Sequence, residues 1–398
     1  MYVLRRTAGS VGAVTAIAAL ALTGCGSSSD DSSSSAKPST ATAAKAASAA
    51  EQRAAQAAAL GTKAGKQASG GKRATAAPVK TIAFLNYTSQ AVALRRVATG
   101  EKAAAEALGW KFDTCDAQGS PPKVATCASS FIQRGDDVIS STAIPVALDT
   151  PQLKLAKQKG IPWLNTGGQA PRSDLYAAAF FLPEVKLYGA LHDAMFKQLG
   201  DQPARIGALK LTVDDTARAR FEALTADLGK HPGAKVVASL EGTPSNPAAV
   251  SPGIVAMLRQ HPDINAIWSC CDILTPPIVQ GIHRVGLTGD KAPVVVAPFP
   301  DQGMLQSIRD GDISVAVDLP WEAYGWIAVD EAVQNTVHKT PFTAYGEPTQ
   351  YPAALYGGQI ITKDNVQKDP NKLQDPVFDY ASYFRAKWKA QFGAGESS

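Results

Sequence analysis

From Pro78 onward the chain alternates short β-branched or aromatic runs with longer segments whose apolar positions recur at helical spacing. Thr81–Asn86 reads as the first strand, and Val92, Leu94, Val97, Ala98, Ala104, Ala105 and Leu108 then mark one face of a helix. Further strands are expected near Lys111–Thr114, Asp137–Ser141, Pro162–Thr166, Arg205–Leu211, Lys235–Leu240, Ile264–Ser269, Val294–Ala297 and Ile313–Val317. Glu184–Leu199 typifies the helices between them, with Tyr188, Leu191, Met195 and Leu199 in one stripe. A repeating strand–helix order means parallel strands, because parallel neighbours need a crossover, and the crossover helices cover both faces of the sheet. The expected fold class is therefore α/β. Residues 79–363 are material for two such sheets rather than one.

The N-terminal region follows a different pattern. Arg5 and Arg6 precede an apolar run, Val11–Leu22, that is too short to span a bilayer and has the form of a secretory signal. The run ends in Leu22-Thr23-Gly24-Cys25, which resembles the lipobox of bacterial lipoproteins. That resemblance implies removal of residues 1–24 and a diacylglycerol on the Cys25 sulfur, which ties the mature chain to a membrane. From Gly26 to about Ala77 the chain is Ser, Ala, Lys, Gln and Gly, with Leu60 its only large aliphatic residue. Such a segment cannot bury enough apolar surface to offset chain entropy. Residues 25–78 are therefore expected to be a disordered tether, with a helical spacer as the alternative in the Ala-rich stretch Thr40–Ala59.

Composition narrows the function. The 398 residues are 45% hydrophobic and 19% charged, and 39 basic against 35 acidic residues, scattered along the chain, leave no nucleic-acid footprint. Setting Cys25 aside, Cys115, Cys127, Cys270 and Cys271 form an even set in a compartment that permits disulfides. Cys115 and Cys127 are expected to bridge a strand end to the first turn of the next helix. Adjacent Cys270 and Cys271 can close a strained ring, stay as two thiols or pair elsewhere, and the sequence leaves this open. No residues stand at metal-ligand spacing, and G-x-S-x-G, H-E-x-x-H, the Walker A loop and G-x-G-x-x-G are all missing. The five histidines, at 192, 231, 261, 283 and 338, fall in helices or before prolines and are expected at surface helix ends. Neither an enzyme nor a cofactor is expected.

In open parallel sheets a ligand crevice forms beyond the carboxyl ends of the strands, where the loops gather and helix N-termini point donors inward. This selects Asn86, Tyr87, Ser89 and Gln90 after the first strand, Thr142 and Ile144 after the third, and Asn165 and Gly167 after the fourth. Later in the chain it selects Asp215, Arg218, Cys271, Asp272, Phe299, Asp318 and Trp321. Each has a structural alternative: Asp215, Asp272 and Asp301 as helix N-caps, Asn86 bonded within its own loop, Trp321 as core. Their convergence is what argues for a site.

Four stretches resemble the periplasmic sugar-binding family typified by ribose-binding protein. They are Thr81-Ile82-Ala83-Phe84 before a helix containing Gly100, Asp116-Ala117-Gln118-Gly119-Ser120-Pro121, Gln133-Arg134-Gly135 before Val138-Ile139, and His261-Pro262-Asp263-Ile264-Asn265-Ala266-Ile267-Trp268. The resemblance implies two Rossmann-like lobes joined by three crossings, near Gly167–Gln169, Asp318–Leu319 and Thr349–Pro352. Lobe I would comprise residues 79–168 and 319–350, lobe II residues 169–318 and 351–363, with 364–398 a docked helical tail. It implies a monomeric solute-binding component of an ABC importer at the outer face of the cytoplasmic membrane, closing on a small molecule and docking on a permease. A lipoprotein that presents its ligand to a receptor kinase is the alternative, and a surface enzyme a more distant one. Arg218 or Arg220 matches the family's second-lobe arginine, and Asp318 its polar hinge residue. Cys271-Asp272 stands for an Asn-Asp pair, and Phe299 for an aspartate. Ala93 and Leu94 stand where the family has phenylalanines, Ile144 where it has Asp, and Gly167-Gly168 where it has Asp-Arg. With Tyr87, Trp163, Phe299 and Trp321 nearby, these departures imply a ligand that is sugar-like or partly apolar.

Overall fold

The computed structural model describes residues 40–68, 80–142, 144–167, 173–181, 184–211, 215–342 and 345–393. The expected export segment, residues 1–24, and Cys25 lie outside the described residues. The first described element is a helix, α1 (Thr40–Ala68). A parallel sheet follows, made of β1 (Thr81–Asn86), β2 (Lys111–Asp116), β3 (Val138–Thr142), β4 (Trp163–Thr166) and β5 (Ala178–Phe180) in the order β2-β1-β3-β4-β5. Its crossovers are α2 (Val92–Ala107), α3 (Pro121–Arg134) and α4 (Val146–Gln158).

The alternation of β1 explains how this sheet is covered. Ile82 and Phe84 point to one face, into a core shared with Val97 and Ala104 of α2. Ala83 and Leu85 point to the other, against Val124 and Phe131 of α3 and Leu153 of α4. A strand buried on both faces needs apolar side chains at every position, and β1 is buried from Ile82 to Asn86.

The second sheet is introduced by α5 (Glu184–Leu199) and built from β6 (Arg205–Lys210), α6 (Asp215–Leu228), β7 (Lys235–Glu241), α7 (Val250–Gln260), β8 (Ala266–Ser269), α8 (Thr275–Arg284), β9 (Val294–Pro298), α9 (Gln302–Asp310) and β10 (Val315–Asp318). The chain then returns to the first lobe as α10 (Trp321–His338), passes through α11 (Ala353–Tyr356) and adds β11 (Gln359–Ile361) antiparallel to β10. The strand order is β11-β10-β9-β8-β6-β7. The last helix is α12 (Tyr380–Phe392). The architecture is two parallel α/β lobes, as the strand–helix rhythm requires.

The first crossing differs from expectation. β5 pairs with β4, Leu164 opposite Ala178 and Thr166 opposite Phe180, so the first lobe runs on to Phe180 instead of ending at residue 168. Three residues of strand are too short to leave a sequence signature of their own. Cys115 and Cys127 are bridged across a Cα–Cα distance of 5.7 Å, whereas Cys270 and Cys271 are both buried thiols.

The expected disorder of residues 25–78 is corrected over Thr40–Ala68, which is helical throughout. Ala57, Gly61 and Gly65, four residues apart, are buried, and Gly61 and Gly65 lie against the backbone of α12. A Cβ at Gly61 would stand 2.0 Å from the Tyr383 carbonyl oxygen, so only glycine admits this approach. The composition argument counts large side chains and misses that a small-residue stripe lets backbones pack directly. α12 in turn buries Phe384 and Trp388 against α10, with Trp388 stacked on Trp326 at 5.4 Å between centroids. Beneath them Asp330 accepts from Trp388 Nε1 at 2.8 Å and from the Tyr351 hydroxyl at 2.7 Å, and it pairs with Lys387.

His192 is a second correction. It is fully buried rather than at a surface helix end. Its Nε2 accepts the Trp268 indole N–H at 3.1 Å, which leaves the proton on Nδ1 to be donated to Asp227 at 2.7 Å. Burial holds its pKa below the ordinary value despite Asp227, so it is a neutral core residue.

Candidate ligand-binding cleft

The carboxyl ends of both sheets face a cavity of about 400 Å³. Its first wall comes from the loops and helix starts after β1, β3 and β4, with Tyr87, Leu94, Thr142, Leu148 and Gly167. Its second wall follows β6, β8 and β9, with Leu211, Arg220, Cys271, Asp272 and Phe299, and Trp321 at the start of α10 adds the indole.

Three features shape the site. Phe299 has φ 50, a left-handed backbone that a non-glycine residue adopts only when its surroundings enforce it. Here the N–H of Phe299 donates to the Val317 carbonyl at 2.7 Å, and its ring meets Trp321 edge-on at 4.8 Å. Arg220 lies over the same ring, 4.8 Å from its centroid, and donates through Nη1 to the Cys270 carbonyl at 2.9 Å. Asp272, from the second lobe, accepts the Ala93 N–H at the start of α2 in the first lobe. Burial pushes the Asp272 carboxyl above the usual aspartate range, opposed by the N–H groups of Ala93, Ile273 and Val92 and by Arg220.

Behind the cavity the lobes are tied at the hinge. Arg96 of α2 reaches Asp318 at 2.5 Å and Glu322 of α10 at 2.8 Å. The helices carrying these groups cross at Gly100 and Gly325, where a Cβ on Gly100 would stand 2.0 Å from the Glu322 carbonyl oxygen.

Of the residues selected from sequence, the structure brings together Tyr87, Thr142, Gly167, Cys271, Asp272, Phe299 and Trp321. The others are turned elsewhere. Asn86 is buried in β1 and its Oδ1 has no partner among the described residues. Ser89 donates to Asp116 at 2.5 Å, Gln90 is exposed, and Ile144 packs in the core beside Leu85. Asn165 is buried within β4. Asp215 and Arg218 pair with each other along α6, and Asp318 is taken up by Arg96. Asp301 caps α9, accepting the Met304 N–H at 2.9 Å.

The arginine facing the cavity is Arg220, not Arg218. Two residues of helix turn the side chain by about 200°, whereas Thr216 and Arg220, four apart, share a face, and both line the cavity. That periodicity was the available signal. Pro244, from a loop, and Ile273, from the short 3-10 turn after β8, carried none. Among the described residues no cluster of His, Cys, Asp or Glu could hold a metal ion, and no helix is long and apolar enough to cross a membrane.

The profile of the periplasmic binding protein domain matches residues 82–340. The chain belongs to the periplasmic binding protein family. A search of curated protein sequences gives no match. Among solved structures, this periplasmic binding protein is similar to a galactofuranose binding protein, with TM-score 0.66 and 17% identity over 76% of this chain and 100% of that one. It is also similar to the binding component of the arabinose ABC transporter from Shewanella sp. ANA-3, with TM-score 0.63 and 21% identity over 72% and 93%. A third, from Bacillus halodurans C-125 with bound myo-inositol, has TM-score 0.62 and 17% identity over 73% and 96%. At these identities the likeness is one of fold. The family is one of solute-binding proteins, and this periplasmic binding protein binds a solute and is not an enzyme.

Proposed function

We propose that the protein is the extracytoplasmic solute-binding component of an ABC-type importer, held by a lipid on Cys25 at the outer face of the cytoplasmic membrane. It acts as a monomer, closes its lobes on one small solute, sugar-like or partly apolar, and presents the closed form to a permease. The observation that carries this reading is a cavity of about 400 Å³ enclosed by the strand ends of both lobes, with Asp272 of one lobe bonded to α2 of the other. A ligand touching both walls stabilises the closed arrangement relative to the open one, and that difference in affinity drives closure. The sugars and cyclitol named for the structural neighbours are of a size this cavity holds.

The test is transport. Cells with and without the chain are given a mixed-solute medium, and depletion of each solute is followed. One solute should vanish only when the chain is present, and far more slowly with Cys25→Ser, which should also lose labelling by fatty acid. Identical depletion in all strains would contradict the importer role.

A further inference from the structure

We propose that Cys270 and Cys271 are a covalent modification site in the cleft wall: in the extracytoplasmic protein a vicinal disulfide joins them, and the ring holds Asp272 in place against the first lobe. The bond goes beyond the solute-binding reading, and only the contact of its sulfur with a solute rests on that reading.

The two Sγ atoms stand 2.7 Å apart just beyond β8, inside ordinary non-bonded contact. Cys270 is fully buried, and Cys271 lines the cavity. A ring closed across a single peptide bond is strained, because its Cα atoms lie about 3.8 Å apart, below the usual span of a bridge. It therefore needs a backbone held on both sides. Here the Cys270 carbonyl accepts from the Tyr188 hydroxyl at 3.1 Å and from Arg220 Nη1 at 2.9 Å. The Cys271 carbonyl accepts from the Ser269 hydroxyl at 3.0 Å and from the Thr275 hydroxyl at 2.9 Å.

The compartment supplies the chemistry. The same chain carries the Cys115–Cys127 bridge, and where one disulfide persists, two thiols in contact are oxidised as well. The oxidant is a protein disulfide of the kind that closes that bridge. With the lobes apart, the Cys271 thiolate attacks one sulfur of the oxidant and expels the other as a thiol. The Cys270 thiolate then attacks the Cys271 sulfur and expels the second thiol. Two electrons pass from the pair to the oxidant, and the two protons go to the released thiols.

Asp272 follows the pair directly and accepts the Ala93 N–H of the first lobe. Ring closure stops side-chain rotation at both preceding residues, so less entropy is lost when the interlobe bond forms. It also leaves the cavity wall with a sulfur that has no S–H to donate.

The experiment is mass mapping of the full chain from cells quenched in acid, then alkylated with iodoacetamide in denaturant and cut with trypsin. Peptide Gln260–Arg284, which holds no other cysteine, should be unalkylated and two hydrogens lighter than its dithiol form. After prior reduction with a phosphine it should carry two carbamidomethyl groups. Two such groups without reduction would overturn the proposal, whatever the protein binds. The double variant Cys270→Ser with Cys271→Ser, which keeps the Cys115–Cys127 bridge, tests the consequence. Its Val92 and Ala93 amides should exchange about fivefold faster than in the parent. Equal exchange would overturn the link from the ring to Asp272. Neither readout needs a solute, so both failures leave the solute-binding reading standing, and the transport test decides that reading separately.

Discussion

The Asp272 carboxylate accepts the Ala93 N–H at 3.0 Å, so a side chain of the second lobe caps the first turn of a helix in the first. The cap satisfies a helix-start amide and complements the helix dipole, and it can do so only when the lobes are together. A charge-assisted bond of this kind contributes about 1.5–3 kcal/mol. Asp272→Ala should therefore weaken ligand binding by roughly tenfold to a hundredfold. It should also raise the radius of gyration measured by small-angle scattering without ligand. An unchanged radius would show that the cap does not hold the lobes.

At the hinge, Arg96 is shared between Asp318 and Glu322, with side-chain exposures of 8%, 4% and 15%. Removing the guanidinium leaves two carboxylates buried against each other. Arg96→Ala should cost about 3–5 kcal/mol of stability, whereas Asp318→Ala, which leaves Arg96 its Glu322 partner, should cost less. Denaturant unfolding measures both. Equal losses would mean that Glu322 contributes nothing to the hinge.

Glu101 and Asp149 are buried, and neither forms an ion pair with a described residue. Burial raises Glu101 to about 8 against a lone bond from the Ser140 hydroxyl, and raises Asp149 to about 7. A raised carboxyl holds its proton in the folded state where the unfolded chain has lost it. The associated stability is therefore complete below the ordinary carboxylate range and is lost as pH climbs from there through about 8. The melting temperature should fall between pH 5 and pH 8, and Glu101→Gln should flatten much of that slope. A flat profile in the unmodified protein would contradict the burial of both acids as neutral groups.

The sheets were legible because strands covered on both faces must be apolar throughout, as Ile82–Leu85 are, and helices must carry a stripe, as Tyr188, Leu191 and Met195 do. The cleft was legible only in outline. Strand ends locate its rim, hence Tyr87, Thr142, Cys271 and Phe299, but which loop residue turns inward depends on helix phase and on partners distant in sequence. Arg220 displaced Arg218 by phase, and Asp318 was drawn away by Arg96, 222 residues earlier. Long-range ion pairs of that kind leave no local pattern.

The helix over Thr40–Ala68 was hidden for another reason, since its docking relies on missing side chains. Gly61→Leu should drive α1 off α12, because its Cβ would meet the Tyr383 carbonyl. Amide exchange should then speed up over residues 57–68 with no change in ligand affinity. Unaltered protection would mean that the stripe does not dock the helix.

The central claim, one solute held between two lobes, is tested most directly by native mass spectrometry of the chain released gently from its own membrane. The account predicts a single small molecule per chain, retained by the unmodified protein and lost from Asp272→Ala and Arg220→Met. A bare mass under every condition, or a solute that both variants keep as firmly as the parent, would contradict it.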